Sequence, residues 1–147
     1  SSMILAPHFM VEEFLVSRDH PELAASVHEA PPEVLLNLAR LAWSVLVPLR
    51  ERFGRIVVTS GYRPEALNAK VGAKKTSRHV SGCGVDFVMR HPAKLAWDEI
   101  CNGGIPWEWD RLAFYEERGR FHADIDPVRN DQRGLLYLGG DGDWIQV

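Results

Sequence analysis

Apolar residues recur at three- and four-residue spacing through the first third of the chain. Later they alternate with polar ones, so helices are predicted early and strands late. Phe9, Val11, Phe14 and Leu15 form an apolar stripe that predicts a short helix over residues 9–17. Pro31-Pro32 opens the main helix, since proline is well tolerated in a first turn. Val34, Leu35, Leu38, Leu41, Ala42, Val45, Leu46 and Leu49 line one face of it, with a kink expected at Pro48 and a stop at Gly54.

RIVVTS (residues 55–60), a β-branched run bounded by Gly54 and Gly61, predicts a buried strand. A helical piece from Glu65 to Val71 leads into the polar loop GAKKTSR. GVDFVM predicts a strand with Asp86 and Val88 on one face and Val85, Phe87 and Met89 on the other. Residues 93–102 read as an amphipathic helix. RLAFYEE and RFHADID then read as a hairpin, followed by GLLYL, the turn GGDG and WIQV. Helices first and antiparallel strands later predict an α+β domain with helices packed on a central antiparallel sheet. No repeat, low-complexity block or linker divides residues 1–147, so one domain is expected.

Composition narrows the picture mainly by exclusion. At 46% apolar and 25% charged, the chain is an ordinary globular protein, and 147 residues can bury a core without staples. A net charge of −3 gives no footprint for nucleic acid. Cys83 and Cys101 are too few for a disulfide framework and lack zinc-ribbon spacing, so both are expected to be small buried thiols. LARLAWSVLVPL carries Arg40 and is too short to span a bilayer. Pro7, His8, Glu12 and Glu13 interrupt the first apolar stretch, which does not read as a signal peptide; Ser1-Ser2-Met3 reads as a cloning remnant. A monomer is expected.

The candidate chemistry lies in TSRHVSGCGVDF and GRFHADID. His79 and Asp86 stand seven residues apart in the first, and the second supplies His122. Two imidazoles and a carboxylate are a zinc set with one position open for water, the arrangement of catalytic rather than structural zinc. Gly82 and Gly84 allow the loop to turn so that His79 and Asp86 face one ion.

SGYRPEALNAKVG, TSRHVSGCGVDF and FHADIDPVRN, in this order, resemble the zinc-dependent peptidases of the M15 family. The likeness is to the small single-domain branch related to D-alanyl-D-alanine carboxypeptidases and phage cell-wall endopeptidases. It extends from EEFLVSRD to the final hairpin and implies a fold like that of hedgehog proteins and DD-peptidases. It also implies that His79, Asp86 and His122 bind Zn²⁺ and that Arg63 faces the substrate carbonyl or its oxyanion. Ser77 and Asn68 match family positions near the site, and Tyr62, Trp107 and Trp109 are candidates for cleft walls. The implied substrate is the peptidoglycan stem peptide, in a cell-wall or phage setting. The sequence departs from the family at the general base. A common position three residues before the last histidine is Gly119 here, and the glutamate of the FDQLIxE-like strand corresponds to Glu116 or Glu117. Glu116 is the first choice, on the expectation that the hairpin brings the strand end beside His122. Asp124, in place of a serine, is a third candidate acid or a support for a ligand. That departure keeps open a non-catalytic, metal-binding role in a phage tail, injection machine or cell-wall-binding assembly.

Overall fold

The structure is a computed structural model and describes residues 3–106, 108–140 and 142–147. Its centre is a six-stranded sheet in the order β3-β4-β6-β5-β7-β8. The strands are β3 (Ile56–Ser60), β4 (Gly84–Met89), β5 (Arg111–Tyr115), β6 (Arg120–Asp124), β7 (Leu135–Gly139) and β8 (Trp144–Gln146). A small hairpin of β1 (Ile4–Ala6) and β2 (Phe9–Met10) precedes them. The sheet is antiparallel except where β7 runs parallel to β5. The long connection from β6 to β7 makes this possible, because a parallel neighbour cannot be reached by a tight turn.

One face of the sheet is core. Val85, Phe87, Leu112, Phe114, Phe121 and Ala123 alternate onto it and are fully buried. Phe121 lies between Phe87 and Phe114, with ring centroids 5.4 Å and 4.8 Å away, and Trp97 of α4 (Ala93–Cys101) stacks on Phe114 at 5.4 Å. The main helix Pro32–Phe53 supplies Val34, Leu38, Leu41, Val45, Leu46 and Leu49 to the same core. That helix is long and apolar enough to cross a membrane by length and composition, but its apolar stripe is the one that packs the core. Pro48 does not break it. Between α1 (Pro32–Leu41) and α2 (Val47–Phe53), residues Ala42–Leu46 widen into a π-helical turn. The wider turn accommodates a ring that would otherwise clash with the carbonyl four residues back.

Two expectations fail locally. Residues 9–17 are not one helix but β2 followed by a 3₁₀ turn, Val11–Phe14. The Phe14 carbonyl accepts the Tyr62 N–H at 2.7 Å, so it is unavailable to continue a helix. Gly61 makes this contact possible, since a Cβ there would overlap the Phe14 backbone. Of the two thiols only Cys83 is buried; Cys101 is exposed at the end of α4, and neither forms a disulfide.

Candidate metal centre

The polar face of the sheet carries the site. Ser60, Asp86, His122 and Ala113 form one row across β3, β4, β6 and β5, each the register partner of the next. Directly opposed residues on neighbouring strands project to the same face, so Asp86 and His122 are forced together by strand pairing. His79 joins them from a 3₁₀ turn, Arg78–Ser81, that the sequence reads as loop. Gly82 leaves the turn in the left-handed region at φ 76°, and a Cβ on Gly84 would stand 3.1 Å from the His79 nitrogen and 3.3 Å from the His122 ring. The turn therefore lies close against the strands, with His79 beside Asp86 and His122.

The ligand atoms of His79, Asp86 and His122 all lie within 4.8 Å of one another. His79 Nδ1 is 2.7 Å from the Gly61 carbonyl and donates to it, which leaves Nε2 as a lone pair 3.3 Å from Asp86 Oδ1. His122 Nε2 is 2.8 Å from Asp124 Oδ2 and donates to it, which leaves Nδ1 2.9 Å from Asp86 Oδ1. Two bare acceptors at that distance repel unless a cation or a proton lies between them. Without a metal, the proton takes that place. Burial alone pushes His122 down, but the hydrogen bonds to Asp124 and Asp86 and their charges outweigh it and raise the imidazole to about 9. Burial likewise works against the Asp86 carboxylate, yet His79 and His122 hold it well below the usual carboxylate range. The group fits a divalent ion with nitrogen and oxygen preference, and a hydrogen bond fixes each imidazole's tautomer.

Arg63 sits beside this group. Its Nε donates to Ser60 Oγ at 3.1 Å, Nη1 to Asn68 Oδ1 at 3.3 Å and Nη2 reaches Asp86 Oδ2 at 3.4 Å. No ion pair with Glu65 forms among the described residues. Burial lowers its pKa, Asp86 opposes that, and the charge of Arg120 adds to it. Ser77 caps the 3₁₀ turn, its Oγ accepting the His79 N–H at 3.3 Å, and also lines the cleft. Tyr62 packs against the core and lines the adjoining cleft with Arg63 and Asp86. Trp109 is a core residue, while Trp107 lies outside the described residues.

Glu116 is not where the sequence reading puts it. His122 pairs with Ala113, and β5 ends at Tyr115, opposite Arg120. Glu116 and Glu117 both lie in the exposed 3₁₀ turn Glu116–Arg118. They border a neighbouring pocket rather than the cleft that holds the trio, and Glu116 is close enough to Lys94 of α4 to raise its pKa, secondary to Asp98. The reason is the strand period: the extra residue in WDRLAFYEE puts Tyr115 on the site face and carries Glu116 past the strand end.

Asp124 is fully buried and surrounded. Besides His122 it receives Arg78 Nη1 at 2.8 Å and Arg111 Nη2 at 2.7 Å. Burial would raise its carboxyl, but His122 and Arg111 hold it below the ordinary value. Arg78 also meets Asp110 at 2.6 Å, and Arg133 closes on Asp110 at 2.7 Å. Trp144 of β8 packs against the His122 ring, with centroids 5.1 Å apart, and the Arg111 guanidinium is 5.0 Å from the Trp144 ring centroid. Sequence reasoning missed Arg78, Arg111, Asp110, Arg133 and Trp144. Only the position of Arg78 next to His79 offered a signal, because the others meet through sheet pairing and long connections.

No curated protein matches the chain. The family model described as Peptidase M15 matches residues 7–124, which include all three members of the metal-competent trio and Arg63. The chain therefore belongs to the peptidase M15 family.

Proposed function

We propose that this M15-family chain is a zinc peptidase that hydrolyses an amide bond in peptidoglycan stem peptides, as a DD-carboxypeptidase or an endopeptidase. The observation that carries this reading is the lone-pair convergence of His79 Nε2, His122 Nδ1 and Asp86 Oδ1. These three residues would hold the zinc. Bound there, the ion would supply a Lewis acid that polarises the scissile carbonyl and makes water acidic near neutral pH.

The rest falls to the chain's own side chains. Arg63, fixed by Ser60 and Asn68 on the cleft wall, stabilises the negative charge that develops on the carbonyl oxygen as water attacks. Asp124 takes no proton from water, because its carboxylate is enclosed by His122, Arg78 and Arg111; it orients His122. Among the described residues, Asp143 is the acid on the cleft wall that is not committed to the trio, and it shares that wall with His122 and Trp144. In this reading Asp143 accepts the proton of the attacking water and returns it to the leaving amine. Lys74 lies on the same cleft wall and suits a peptide that bears a free carboxylate, whereas Arg78 and Arg111 are already engaged by Asp110 and Asp124.

The test is digestion of purified peptidoglycan with zinc-loaded protein, with mass analysis of the products. Released D-alanine marks a carboxypeptidase, and cleaved cross-links an endopeptidase. Neither product, with zinc bound in a ratio near one, would leave the second reading, a metal-binding module without catalysis. That reading draws its support from the placement of Glu116 outside the cleft.

A further inference from the structure

Arg120 is a half-buried cation without an acidic partner among the described residues. It lies two residues before His122 on β6, so it projects to the same face of the sheet at a separation of roughly 7 Å along the strand. Its guanidinium carbon is 5.5 Å from the Tyr115 ring centroid. Its Nε is shut away from solvent and has no hydrogen-bond partner among the described residues. Every other arginine on this face is engaged: Arg63 with Asp86, Arg78 with Asp110 and Asp124, Arg111 with Asp124. Arg120 also stands where two clefts meet. One contains Arg63, Tyr62 and Asp86, and the other Tyr115, Glu116, Glu117 and Trp144. Two guanidinium groups, Arg63 and Arg120, thus border the trio on one side and repel each other.

We propose that Arg120 is a specificity residue that binds a carboxylate of the peptide substrate, in first place the free C-terminal carboxylate of the residue that leaves. Nε is enclosed, so a carboxylate is taken end-on by the two terminal Nη groups of this residue, which lines both clefts, and its charge compensates a guanidinium that has no acid beside it among the described residues. The distance also fits. A terminal carboxylate is three bonds from the scissile carbonyl carbon, and a long side chain rooted one strand repeat from His122 reaches it. Its charge offsets the repulsion between Arg63 and Arg120. A carboxylate on a side chain near the cleaved bond would offer the same chemistry. The inference rests on the peptidase reading of the site and deepens it toward substrates with a free acid next to the scissile bond.

The experiment is equilibrium binding by calorimetry with the full chain kept metal-free, so that nothing is cleaved. Three probes are compared: an N-acetylated lysyl-D-alanyl-D-alanine acid, its C-terminal amide, and that amide extended by a γ-linked D-glutamate with a free carboxylate. The wild type is expected to bind the terminal acid about 10-fold or more tightly than the plain amide. Arg120→Gln removes the difference, and Arg120→Lys keeps part of it, because an ammonium retains the charge but not the fork. If the glutamate-bearing amide is instead the tighter ligand and Arg120→Gln abolishes that, the carboxylate comes from the side chain and the role of Arg120 stands. An undiminished preference in Arg120→Gln overturns the inference, as does a wild type that does not discriminate among the probes. Should Arg120→Gln fail to fold, the wild type and Arg120→Lys carry the comparison. Failure of the peptidase reading looks different: zinc-loaded protein leaves peptidoglycan intact while the carboxylate preference persists.

Discussion

Asp124 and His122 are two residues apart on one strand, and the carboxylate of the first holds Nε2 of the second at 2.8 Å. This contact decides which ring nitrogen is free, because a donor at Nε2 leaves the lone pair on Nδ1, beside Asp86. Asp124→Asn is therefore expected to act at a distance from the ion. An amide can turn its NH₂ toward Nε2, which moves the ring proton to Nδ1 and removes the ligand lone pair. Zinc affinity should fall roughly 10- to 100-fold, read by competition with a chromogenic chelator. An Asp124→Asn chain with wild-type affinity and stability would show that the contact does not orient the ring.

The metal-free chain should release a proton when it takes up zinc. His122 is raised from 6.5 to about 9, so near pH 7 it is an imidazolium that must lose Nδ1–H before it can bind a metal. A pH-stat titration at pH 7.5 is expected to show about one proton released per zinc. The same group sets a pH trend in the stability of the metal-free fold. A folded pKa above the unfolded one contributes stability that is full below 6.5 and is lost as pH rises through about 9. Denaturant midpoints of metal-free protein should fall across that window, and zinc-loaded protein should not show the fall.

Gly61→Ala tests how the N-terminal turn positions the site. The added Cβ would overlap the Phe14 backbone, and the Gly61 carbonyl is the acceptor that fixes His79. Overpacking against a backbone has no flexible neighbour to absorb it, so a loss of roughly 1–3 kcal/mol in stability is expected. Because the Gly61 carbonyl shifts with it, zinc affinity should drop as well. Thermal melts with and without zinc measure both effects, and unchanged values in both would show that the turn is compliant.

The elements legible in the sequence are those whose burial has a period. The main helix, β3, β4, α4 and the last strands all follow from three- to four-residue or alternating apolar spacing. His79, Asp86 and His122 were legible too, since neighbouring words in a fixed order accompany them. What stayed hidden depends on pairing at long range. The stripe Phe9, Val11, Phe14 and Leu15 suits a helix, a strand or a 3₁₀ turn, and only the use of the Phe14 carbonyl by Tyr62 decides it. Arg111 is opposite Asp124 because β5 and β6 pair in that register, a relation that spacing alone does not give. The parallel placement of β7 beside β5 likewise depends on a long connection whose residues have no periodic signal.

Glu116 and Asp143 should respond oppositely to loss of their charge. In Glu116→Gln the lost charge lies in an exposed turn near Lys94, outside the cleft that contains His122. Its effect on the rate of peptidoglycan cleavage should be less than about threefold, since the group lies too far off to exchange a proton with water at the ion. Asp143→Asn removes the carboxylate that shares the cleft wall with His122 and Trp144. Loss of a positioned base lowers kcat by about 10²–10⁴, while zinc content stays near one per chain because Asp143 is not among the ligand atoms. The rate of cleavage by zinc-loaded protein should therefore collapse in Asp143→Asn and persist in Glu116→Gln. The opposite pattern, with the rate lost in Glu116→Gln and kept in Asp143→Asn, would require the turn Glu116–Arg118 to fold over the cleft when substrate binds.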